Sequence, residues 1–82
     1  MLYFILELEI KTNIFNSEVE YVDETFHGKY LSEKACLSMM ETIVDTNIKR
    51  GYFNIVKSRT PNRVVLSNGG SVIKTFTIHS FN

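Results

Sequence analysis

The chain contains one cysteine, one proline, four glycines and no tryptophan, and it carries no Asp or Glu after Asp45. With Cys36 alone, no intrachain disulfide can form and no multi-cysteine zinc site can be assembled within the chain, a pattern that fits a reducing compartment. The scarcity of proline and glycine excludes polyproline, collagen-like and flexible-linker architectures. The longest apolar run, Met1 to Leu6, ends at Glu7, far short of the roughly 18 residues a membrane span needs. No basic leader or small-residue cleavage pattern opens the chain, so the expected location is cytoplasmic, away from membranes.

Catalytic motifs are missing too. No P-loop, GxGxxG, HExxH or GxSxG occurs, and neither His27 nor His79 has a carboxylate or nucleophile at a motif spacing. The expectation is a protein without a catalytic residue, cofactor or metal site, with a minimal enzyme built from sequence-distant residues as the third-ranked reading. Cys36 near a helix N-terminus is read as a small buried hydrophobe, the commoner state of a free cysteine.

What the chain does have is enough apolar material for a core: 44% of its 82 residues are hydrophobic and ten are aromatic. That length fits one domain, residues 1–82, of limited stability. Residues 2 to 11 alternate as a strand, with Phe4, Leu6, Leu8 and Ile10 on one side and Glu7, Glu9 and Lys11 on the other, and the apolar side is expected to be the buried one. A turn at Asn13, Asn16 and Ser17 leads to a second strand over Glu18–Val22, followed by a loop from Asp23 to Leu31 in which His27 and Gly28 form a turn.

From Ser32 to Arg50 the period becomes helical. Ser32 supplies the N-cap, Glu33 suits the positive end of the helix dipole, Lys49 and Arg50 suit the negative end, and Gly51 supplies the left-handed stop. Ala35, Cys36, Met39, Met40, Ile43 and Val44 are expected to face a sheet. Three more strands follow, Tyr52–Ser58, Arg63–Ser67 and Ser71–Phe81, joined by turns at Thr60-Pro61-Asn62 and Asn68-Gly69-Gly70. The expected fold is α+β, of order ββαβββ, with a single helix on one face of a mostly antiparallel sheet and the other face left to solvent or a partner.

Two features point toward binding. The apolar positions of the helix sweep about 220° of its wheel, wider than a stripe covering one sheet face. Phe26 and Tyr30 of the loop, or a second protein surface, would cover the remainder. The candidate protein-binding residues are Ile14 and Phe15 at the first hairpin tip and Leu37 and Ile48 on the helix. The implied partner is another protein or a second copy of the chain.

The second feature is charge order. Residues 1–45 hold nine acids and three lysines, a formal charge of −6, while residues 46–82 hold six cations and no acid, +6. Acids and cations on neighbouring strands would compensate one another, and Glu7 and Glu9 are expected to meet Lys74 on the outward side of the sheet. A separate basic pole would make Lys57, Arg59, Arg63 and Lys74 a nucleic-acid surface, the alternative reading. The leading expectation is a small non-enzymatic regulatory or inhibitory protein acting through protein–protein contact. A short, motif-poor, Asn-, Ile-, Lys- and Phe-rich chain fits a phage-type accessory protein directed at a host factor.

Overall fold

A computed structural model describes residues 1–82. The elements are β1 (Leu2–Thr12), β2 (Val19–Tyr30), α1 (Glu33–Arg50), β3 (Ile55–Thr60), β4 (Arg63–Ser67) and β5 (Val72–Phe81). All neighbouring strands are antiparallel and the sheet order is β2-β1-β5-β4-β3. This is the expected ββαβββ arrangement.

The helix begins and ends where its side chains dictate. The Ala35 amide donates to Ser32 Oγ at 3.1 Å, and the Gly51 amide, in a left-handed conformation at φ 82°, donates to the Ile48 carbonyl at 3.0 Å. Those two bonds satisfy groups that the helix ends leave without intrahelical partners.

The face covered by α1 differs from the expected one. Ile5 of β1 is fully buried, together with Val64 and Leu66 of β4, Phe76 of β5, and Cys36, Met40 and Val44 of α1. In the sheet register Ile5 shares its side with Ile78 and Phe76, which pair with Ile5 and Glu7, and with Val64, which pairs with Phe76. The helix therefore lies on the side that also carries Glu7, Glu9 and Lys74. Phe4, Leu6, Leu8 and Ile10, expected under the helix, occupy the opposite side. The physical reason lies in the other strands: Val64, Leu66, Phe76 and Ile78 give the Ile5 side more bulk for α1 to pack on than β1 alone reveals.

Three further expectations are corrected. The segment Asp23–Leu31 is a strand as far as Tyr30, so β2 runs for 12 residues and His27 is paired with Ile5. Its polar residues and Gly28 read as a loop, yet an edge strand tolerates them because one edge and much of each face are solvated. Tyr52 and Phe53 precede β3, which starts at Ile55. On the helix, Cys36, Met40 and Val44 make the buried line, whereas Ala35 and Met39 are exposed.

Gly28 marks a bulge. Opposite β1 the register slips between Tyr3 and Ile5, and Gly28 adopts φ 66° with the Tyr30 ring where a Cβ would stand. The slip bends β2 so that Tyr30 turns toward the core while Phe26 lies beside Phe4 on the far side.

Candidate functional site

Two regions hold chemistry that the core does not use. The first is a polar cluster at the helix-covered side of the sheet. Lys74 Nζ lies 3.4 Å from Glu7 Oε2, 3.8 Å from Glu9 Oε1 and 3.3 Å from Asn47 Oδ1, and sits 4.6 Å from the centre of the Phe53 ring. His27 Nε2 is 3.0 Å from Glu7 Oε1. The Tyr21 hydroxyl donates to Glu9, and this hydrogen bond, with smaller effects of desolvation and of the Glu9 and Asp23 charges, raises the phenol above its ordinary value.

This cluster joins Glu7, Glu9 and Lys74 as expected, but beneath the helix and largely shielded instead of on the outer side. The Glu7–His27 contact is not visible in the sequence, because the partners come from different strands 20 residues apart. A carboxylate-bound imidazole is the orienting half of an acid–base site. The two surface hollows lie elsewhere, one lined by Phe4, Phe26, Gly28, Lys29 and Phe81, the other around Lys11–Phe15, Glu20 and Ser71. Cys36 is fully buried, and burial, with a smaller effect of Glu33, pushes its thiol upward from the ordinary value, away from the nucleophilic thiolate.

The second region is the sheet face that α1 does not cover. The molecule measures 43 × 26 × 18 Å, and its shortest dimension accommodates one sheet and one helix layer. Phe4, Leu6, Leu8 and Ile10 stand on the uncovered side of β1. Phe26 and Val22 flank them on β2, and Ile73, Thr75, Thr77, His79 and Phe81 flank them on β5. Phe4 anchors an aromatic group, stacked on His79 at 5.4 Å between ring centres and 5.7 Å from both Phe26 and Phe81. Phe26 and Phe81 are exposed despite these contacts. The accessible surface of 5423 Å² exceeds the roughly 5,000 Å² usual for a monomer of this mass, the direction an uncovered face requires.

The candidate residues read from sequence are dispersed. Ile14 and Phe15 are exposed at the β1–β2 turn, Phe15 at 91%. Leu37 is half-buried, and Ile48 packs on the edge of the core. Of the four candidate cations, Lys74 is held in the polar cluster, Arg59 pairs with Glu41 of α1, and Arg63 lies on the uncovered sheet face. Lys57 sits at a register slip in β3. They do not form one surface.

The larger feature, the face around Phe4, Leu6, Leu8 and Ile10, was hidden because those residues read as core. The signal that it existed was Leu2–Leu6, five apolar residues in succession, which makes both faces of β1 apolar at one end. The chain matches none of the protein-family models, curated proteins or solved structures with which it was compared.

Proposed function

We propose that this chain is a small regulatory or inhibitory binding protein that acts by protein–protein contact, with the uncovered sheet face as its contact surface. The observation that carries the reading is the contiguity of the half-buried Phe4, Leu6, Leu8, Ile10 and Ile73 and the exposed Phe26 on one side of three adjacent strands, opposite the side on which α1 packs. A contiguous apolar patch of that kind marks contact sites more often than inert surface. Aromatic residues at its end are of the type that anchors protein interfaces.

The test is affinity capture from the natural host, with the parent chain and a Leu8→Lys variant compared by mass spectrometry after circular dichroism has verified both folds. A defined protein, or the chain itself, retained by the parent and lost by the variant supports the reading. Recovery of nucleic acid that is lost at moderate salt and on Arg63→Glu substitution overturns it.

A further inference from the structure

We infer that the occupant of the uncovered sheet face is a second copy of this chain, packed face to face about a two-fold axis running nearly parallel to β5. This rests on the proposed use of the face for protein contact and names the partner.

Size is the first argument. With strands about 4.8 Å apart and about 3.3 Å of rise per residue, the five strands present a footprint of about 700 Å². A stable protein interface takes about 800 Å² from each partner. The face thus suits an aligned sheet-on-sheet packing, in which layers lie about 10 Å apart.

Charge is the second argument, and it selects the symmetry. Strand β5 is the middle strand, with β2 and β3 at the two edges. On the uncovered side β2 presents Glu24, with Lys29 at the Gly28 bulge, and β4 presents Arg63, whereas Asp23 and Arg59 lie on the helix-covered side and Glu20 and Arg59 are already paired with Lys11 and Glu41. A two-fold axis along β5 lays β4 of one copy, with Arg63, over β1 of the other, beside the β2 strand that carries Glu24. The other in-plane axis, across the strands, would lay β2 over β2 and β4 over β4 and leave Glu24 and Arg63 three strands apart.

Glu24 and Arg63 are the two charged residues in register on the face itself. Glu24 pairs with Leu8 on the rung that continues through Thr75 to Val65, and Arg63 pairs with Thr77 on the adjacent rung, which continues to Leu6 and Phe26. Neither belongs to an ion pair within the chain. They stand three strand spacings apart, about 14 Å, too far to meet in one protomer. Rotation about β5 carries β4 of one copy over β1 of the other. Arg63 then lies one strand and one rung from Glu24 across the interface, within side-chain reach, twice per dimer. Two exposed charges that are unpaired in one copy become paired in two.

Sedimentation equilibrium on the full chain tests this with Glu24→Arg, Arg63→Glu and an equimolar mixture of the two variants. The parent is expected to be a dimer at micromolar concentration. Each variant alone, which places like charges together twice, should have a dimer dissociation constant raised about tenfold or more. The mixture should recover parental affinity as a heterodimer, a result that general misfolding cannot produce. A parental dimer indifferent to both reversals overturns the axis. A parent that stays monomeric overturns the second copy as occupant. If that monomer still captures a host protein in a Leu8-dependent way, protein contact through the face stands without self-association; if it captures none, both readings fall.

Discussion

The Lys74 ammonium is the counter-charge that two neighbouring carboxylates share, with Glu7 at 3.4 Å and Glu9 at 3.8 Å on the same side of β1. All three side chains are largely shielded, so their interaction is less screened than that of a surface pair. Lys74→Met should destabilise the fold by about 1–3 kcal/mol, because it leaves two like charges side by side and partly desolvated. Adding Glu7→Gln should restore part of the loss. Urea unfolding of the two single variants and the double variant gives the coupling, and independent, additive effects would show that solvent already screens the cluster.

Met39 and Met40 are adjacent in sequence and opposite in environment, at 39% and 1% exposure. Met40→Asp buries a charge with no partner and is expected to cost about 3–5 kcal/mol, enough to unfold a domain of this size. Met39→Asp should change stability by about 0.5 kcal/mol or less. Thermal melts that rank the two the other way would rotate the helix on the sheet.

The helix was legible in the sequence because Ser32, Glu33, Lys49, Arg50 and Gly51 all report local events at its ends. The turns at Pro61 and Gly69 were legible for the same reason. The side of β1 that receives α1 was not, since it depends on which residues of β4 and β5 come into register with Ile5, a non-local fact. Strand β2 beyond Val22 was missed because its polar residues look like a loop until β1 supplies the pairing. The candidate site inherited that error: Phe4, Leu6, Leu8 and Ile10 were visible as an apolar row, but its assignment to core or surface waited on the helix.

Cys36 should resist thiol reagents in the folded chain and react at the rate of unfolding or local opening, as followed by time-resolved mass labelling. Its thiol has a higher pKa folded than unfolded. The unfolded thiol therefore ionises first as pH rises, and the unfolded state gains from it. The stabilisation is complete below the ordinary thiol value of 9.0 and is lost as pH climbs through the higher folded value. Tyr21 acts in the same direction above its ordinary 10.0. Midpoints of urea unfolding should fall from neutral pH into this alkaline range, less steeply for Cys36→Ala and Tyr21→Phe relative to their own neutral values. Equal slopes for parent and variants would remove both groups as the cause.

Gly28→Ala should destabilise by about 1–3 kcal/mol, since alanine is strained at φ 66° and its Cβ would meet the Tyr30 ring at 2.3 Å. Tyr30→Ala in the same chain relieves the collision, and comparison with Tyr30→Ala alone, which carries the lost core contact, leaves only the backbone strain. A melt of Gly28→Ala equal to the parent would mean that the β2 bulge can close without cost.

The β1–β5 ladder joins two locally built parts, the β1–β2 hairpin and the β3–β4–β5 meander, and its partners run from Leu2 with Phe81 to Lys11 with Val72. Each part can form between residues close in the chain, whereas their union must close a loop of some sixty residues or more and meets the full entropic cost of doing so. Folding should therefore be limited by that late encounter, at rates typical of sheets rich in distant pairings. On the ribosome the hairpin and helix emerge first, and Ile5, Cys36, Met40 and Val44 stay unsheltered until Phe76 arrives. The growing chain passes through a stage in which its own future core is the stickiest thing about it.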